Sequence, residues 1–260
     1  MRRKCVFAAI SALIFIVLPL LAADFWTEKD YTTWSEKECM KLLRKSPWAF
    51  SESFRTTANL GSTETGVRET TEIIEFRLLS AKPIRMAFGR LQLLQQPDNE
   101  ALKEQISRYV ESPSEDEILV QVSCRSIPAG GFMQNLRAFF ARATLSTFTN
   151  TTFLISPEGE HVSMIRYLPW NSERPNATFV FPRLAKDGEP YFTGKEKSIA
   201  LRAEFDMDNP SLHDAVRGDI RSPTSSPIRH AEAVAYARKE YKIYFKMNPK
   251  EMMFEGEFAF

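Results

Sequence analysis

The sequence predicts an α+β fold: an anchoring helix near the start of the folded region, further helices in the first half, and antiparallel, sandwich-like sheets in the second. Three observations carry the prediction. Three of the chain's four tryptophans fall within residues 24–50. Apolar residues recur at helical spacing through the first half, to Ala143, and from residue 151 the pattern changes to alternation with short polar turns between the runs. Successive strands joined in that way pair antiparallel.

Taken in order, Met1 is followed by Arg2, Arg3 and Lys4, then by an apolar run over residues 5–21, and then by Ala22 and Ala23. A basic start, an apolar core and small residues at its end mark a secretory signal peptide, cleaved before Asp24. The run is also just long enough to span a bilayer, so an uncleaved N-terminal anchor is the alternative. Pro19 near its end favours cleavage. Cys5 precedes the apolar core and cannot become a lipid-modified N-terminal cysteine. Cleavage removes Arg2, Arg3 and Lys4 and no acid, which moves the formal net charge from +1 to −2 and leaves no stable membrane span. A chain so close to neutral has no electrostatic grip on nucleic acid, and that partner class is excluded. Residues 24–260 read as one α+β domain, with the charged turn at 111–117 as its best internal boundary.

The anchor occupies residues 24–50, with Trp26, Trp34 and Trp48. Ser35 followed three residues on by Glu38 has the form of a capping box, and Trp34 and Cys39 fall at the two positions of a hydrophobic staple. Cys39, Leu42 and Leu43 continue at helical spacing, and Pro47 is expected to end the helix by forcing Ser46 towards an extended conformation. A helix of about ten residues is unstable alone in water. The anchor must therefore dock on something larger, and Trp48 is expected to turn back onto the core.

Residues 52–68 are polar and read as a connecting loop or an irregular strand. Ile74, Phe76 and Leu78 alternate with Glu75 and Arg77 as a strand. Pro83 opens a helix carrying Ile84, Ala87, Phe88 and Leu91 inward, and a second helix carries Leu102, Ile106, Tyr109 and Val110. Ile118, Val120, Val122 and Cys124 form a strand, and a third helix follows Gly130 and Gly131, with Phe132, Leu136, Phe139, Phe140 and Ala143 inside. Arg137 and Arg142 on its polar face read as solvated.

In the second half, residues 153–155 and 162–168 flank Ser156-Pro157-Glu158-Gly159, a type I turn by its proline and glycine, and so make a hairpin. Residues 178–181, 198–205, 241–247 and 252–260 read as four more strands, the last two joined as a hairpin through Asn248, Pro249 and Lys250. Residues 206–226 read as a long exposed loop and 228–239 as a short helix.

Four runs carry a resemblance. They are WSEKExxKLLxxSPWA from Trp34, FRxxSAKPIRxA from Phe76, VFPR from Val180 and FKMxxxxMxFxG from Phe245. With them the chain resembles a family of predicted secreted bacterial proteins of unknown function, abundant among Acidobacteria. The resemblance implies an exported bacterial protein, secreted or periplasmic, and transfers no catalytic residue.

The residues themselves show no catalytic signature. His161, His213 and His230 lie outside any zinc-binding spacing. Asp206, Asp208 and Asn209 begin like a calcium loop, but Pro210 interrupts it and the required glycine is missing. No nucleophile elbow, phosphate loop or dinucleotide glycine pattern occurs. Gly130 and Gly131 before a helix could expose amides to an anion, although such a pair is more often just a turn. Asn150 and Asn176 head glycosylation sequons, which matter only in a eukaryotic secretory pathway. The expectation is therefore no catalytic residue, no metal and no cofactor. Cys39 and Cys124 could pair in an oxidising envelope, but two buried thiols are the preferred reading, because spacing alone does not bring their Cα atoms within bridging reach. A non-enzymatic binding or structural module of the envelope fits best, with another envelope protein as a candidate partner. The alternative is an envelope hydrolase whose acidic residues assemble only in three dimensions.

Overall fold

A computed structural model describes residues 24–59, 67–112, 116–127, 132–173, 175–206 and 240–260. Among these the chain is α+β, with six helices and eleven strands, every strand pair antiparallel. The expected signal segment, Gly130 and Gly131, the loop at 206–226 beyond Asp206 and the helix at 228–239 lie outside the described residues.

The helical part comprises α1 (Phe25–Glu28), a 3-10 turn (Tyr31–Thr33), α2 (Glu36–Leu42), α3 (Lys82–Gln95) and α4 (Glu100–Glu111). α3 packs on both α2 and α4. At Gly89 a Cβ would stand 2.5 Å from Ile106 Cγ2, so the absence of a side chain there sets how closely α4 approaches. Buried Arg85 donates to the carbonyls of Ser80 and Val110, the latter at 3.2 and 3.0 Å, where the end of α4 leaves carbonyls without helical partners. Arg90 donates in the same manner to the carbonyl of Trp34 (2.8 Å) and holds the anchor against α3.

Two sheets face one another. The first, in the order β1-β2-β3-β7-β6, comprises β1 (Ala49–Asn59), β2 (Val67–Leu78), β3 (Glu117–Ile127), β6 (Arg166–Leu168) and β7 (Ala177–Pro182). The second, in the order β5-β4-β8-β9, comprises β4 (Thr152–Ile155), β5 (His161–Ser163), β8 (Ile199–Asp206) and β9 (Glu240–Met247). Phenylalanine fills the gap: Phe50 and Phe76 of the first sheet meet Phe245 of the second at 4.5 and 5.6 Å, and Phe54 meets Tyr241 at 5.0 Å. Between the sheets the Tyr241 hydroxyl donates to fully buried Glu72 (2.8 Å). α5 (Phe132–Arg142) and α6 (Leu145–Phe148) add Phe139, Phe140 and Phe148, which reach Phe205 and Phe179. One continuous apolar core runs from Trp26 to Phe260, with members on both sides of the charged turn at 111–117.

Several local expectations are corrected. Most of residues 52–68 belongs to two long paired strands, β1 and β2. Ser51, Ser53 and Arg55 face outward on the edge strand, and Glu52 interrupts the apolar side, so the alternation is hidden. The run 162–168 is not one strand: β5 stays with β4, while β6 joins β7 in the opposite sheet. β9 pairs with β8 and not with the residues after it. Pro249 opens a 3-10 turn (Pro249–Met252) that redirects the chain, and the last residues fold on themselves as β10 (Met253–Phe254) and β11 (Glu257–Phe258). The open pairing of Cys39 with Cys124 is not made: both are buried free thiols, one in α2 and one in β3.

Candidate functional site

The anchor is built as a capped, aromatic knot. The Ser35 hydroxyl accepts from the Glu38 amide and Glu38 accepts from the Ser35 amide, so both halves of the capping box are present. α2 ends at Leu42, five residues before Pro47, so the proline is not what stops it. The freed Leu43 carbonyl is instead taken by Arg77 Nε of β2 at 2.8 Å. Trp34 and Trp48 are fully buried and Trp26 nearly so. Trp26 and Trp48 meet edge to face at 6.1 Å, and Trp48 meets Phe254 of the terminal hairpin at 6.4 Å. Trp34 Nε1 donates to the Lys29 carbonyl (3.1 Å), whereas Trp48 Nε1 has no acceptor among the described residues.

Glu38 also accepts from the Lys29 ammonium. This bond first, and the Ser35 donors after it, hold its carboxyl down from the ordinary 4.5 to about 2. A folded-state value below the unfolded one means stabilisation that is complete above the unfolded value and lost as pH falls towards the folded one. In denaturant titrations, Glu38→Gln is therefore expected to unfold more easily than the parent near neutral pH, with the difference closing as pH falls from about 5 to about 2.

Beside this knot lies a cleft of about 460 Å³. Trp26, Tyr31, Trp34, Met86 and Phe254 form its apolar walls, and Thr27, Glu28, Lys29, Asp30 and Glu255 its polar ones. The tip of the β10–β11 hairpin supplies Glu255, whose φ of 52° is the one positive value outside glycine among the described residues. With Gly256 at φ 85° it forms a two-residue turn with φ positive at both positions, which suits asparagine or glycine better than glutamate. Lys82 at the start of α3 bonds Glu255 (2.9 Å) and pairs with Glu111 (3.3 Å), tying hairpin, α3 and α4 together. Burial, reinforced by the charges of Asp30 and Glu111 and opposed by Lys82, raises the Tyr31 hydroxyl above its ordinary value. Asp30 is held below the usual carboxylate range by the hydroxyl and amide of Thr32.

Of the residues expected to form the anchor, Trp26 and Trp34 line this cleft. Trp48 and Glu38 do not. Sequence reasoning missed Tyr31, Phe254 and Glu255, the last two lying more than 200 residues from the anchor. The Glu255-Gly256 pair between β-forming residues was the one signal that could have found the hairpin.

Outside the cleft, the two buried carboxylates among the described residues, Glu72 and Glu75, lie on opposite faces of β2. Glu72 points between the sheets, and Glu75, at odd spacing from it, lies on the outer face of β2. There Glu75 accepts from Arg77 Nη2 (2.6 Å), Arg125 Nε (2.9 Å) and the Ser123 hydroxyl (3.3 Å). Burial pushes its carboxyl up, but the Arg125 bond and the charges of Arg77 and Arg125 outweigh this and hold it below the usual range. Burial raises the Cys39 thiol to about 11, which leaves it unreactive at neutral pH. Among the described residues no three His, Cys, Asp or Glu side chains gather to hold a metal, and no helix is long and apolar enough to cross a membrane. No family model, curated protein or solved structure matches the chain.

Proposed function

We propose that the protein is an exported, non-catalytic binding module of the bacterial envelope that takes a small organic cation in the cleft beside the tryptophan knot. The basic start, the apolar run and the Ala22-Ala23 end support export. The observation that carries the binding reading is the lining of the cleft. Rings of Trp26, Tyr31 and Phe254 accompany three carboxylates, Glu28, Asp30 and Glu255, and a single ammonium, Lys29. Lys29 is met by Glu38 and Glu255 by Lys82, both outside the cleft, which leaves Glu28 and Asp30 as its carboxylates without a basic partner among the described residues. A cation over an aromatic face gains ~0.5–2 kcal/mol, and nearby carboxylates raise its local concentration. A hydrolytic acid would need a raised carboxyl, and Asp30 is shifted the other way.

Choline is a suitable probe, and tryptophan emission a suitable readout, because Trp26 and Trp34 line the site. Saturable quenching is expected with choline, and Tyr31→Ala should raise its Kd about tenfold, equivalent to ~1.4 kcal/mol. Equal quenching by the uncharged carbon isostere of choline, or none by choline, would remove this reading.

A further inference from the structure

We infer that the outer face of the four-stranded sheet is a docking platform for an acidic polysaccharide strand. The inference goes beyond the cleft and does not depend on it. Register places Ser163, Phe153, Arg202 and Tyr244 in one row across β5, β4, β8 and β9, a width of about 14 Å at the usual strand spacing. The next row is His161, Ile155, Ala200 and Lys246. Phe153 and His161 stack at 4.7 Å with their planes 25° apart. Arg202 stands between the Phe153 and Tyr244 strands, and Tyr244 is 61% exposed, the highest value among the large apolar side chains described. A water-facing sheet side normally carries separated polar groups, but this one places three rings and half-buried Ile155 in adjoining positions, around a buried Ala200.

Rings on a flat face offer stacking surfaces for the apolar faces of sugars, and for nucleic-acid bases as well. The charge decides between them. Arg202 is paired with Glu204 and Lys242 with Glu240, both at 2.9 Å, which leaves Lys246 as the cation of this face without a carboxylate among the described residues. A nucleic-acid strand carries one charge every ~3.4 Å and is held by neutralising several phosphates. One unpaired lysine, on a chain whose residues 24–260 sum to −2, does not supply that. It does match a chain of mostly neutral rings with spaced carboxylates. Such a strand would lie across the two rows, with rings over Phe153 and Tyr244 and a carboxylate at Lys246.

The test is native affinity electrophoresis of the full chain through gels containing polygalacturonate methyl-esterified on most but not all of its rings, its fully methyl-esterified neutral form, or single-stranded oligonucleotide. The partly esterified polymer should retard the parent, and the neutral polymer and the oligonucleotide should do so clearly less. Tyr244→Ala and Lys246→Gln, both at exposed positions and checked for folding by circular dichroism, should each weaken the Kd for the partly esterified polymer about tenfold. Tyr244→Ala should leave the choline titration unchanged, so failure here is distinguishable from failure at the cleft. The inference is overturned by an unretarded parent, by variants that migrate like the parent, or by equal retardation in either comparison gel.

Discussion

Trp48→Ala should unfold at a clearly lower denaturant concentration than the parent, with a loss of about 3–5 kcal/mol. That is a large share of the ~5–15 kcal/mol that holds a domain together. Trp48 is fully buried, touches Trp26 and Phe254 edge to face, and accepts the Leu78 amide through its carbonyl (2.9 Å). The indole thus joins the anchor to the terminal hairpin while the backbone of the same residue holds β2, and removing the indole leaves a cavity between Trp26 and Phe254. Trp48→Phe should cost far less than the alanine variant, because it keeps most of the apolar volume and removes an indole N–H that has no acceptor among the described residues. Coincident midpoints for Trp48→Ala and the parent would place the indole at the surface and end the anchor reading.

The second large effect is expected at Glu75. Removing one partner of a buried ion pair typically costs about 3–5 kcal/mol, because the other charge is left without compensation. Arg77 has a side chain only 10% exposed, and its remaining bonds go to the Leu43 carbonyl, the Gln121 side chain and the Ser123 hydroxyl, so it cannot turn out to water. Arg125 is 41% exposed and can. Glu75→Ala should therefore be strongly destabilising and Arg125→Ala mild, within about 1 kcal/mol. Equal losses for the two variants in urea titrations would show that Arg77 is not the stranded charge.

The local devices were legible in the sequence. The capping box needs only Ser35 and Glu38 three residues apart, the turn at Gly159 only its own four residues, and the core helices only their apolar spacing. These follow from interactions within one or two turns of chain, where sequence separation and spatial separation are nearly the same. Even there the end of α2 was misread, because the Leu43 carbonyl is satisfied by Arg77 from a strand 34 residues on, and not by local proline geometry.

What only the tertiary structure decided is pairing and surface. Alternation marks a strand but is silent on its neighbour, so the crossing of the chain from β5 to β6 and the partnership of β9 with β8 could not be read. Edge strand β1 was obscured because its outward side faces water and its inward side is interrupted by glutamate. The platform is made by such pairings, and the cleft by packing of the terminal hairpin on the anchor. The cleft needs Glu255 brought to Asp30, and the platform needs Phe153, Arg202 and Tyr244 aligned in one register row. Each of these residues is ordinary in its own stretch of sequence, and the property that matters arises only when strand pairing or side-chain packing sets distant residues side by side.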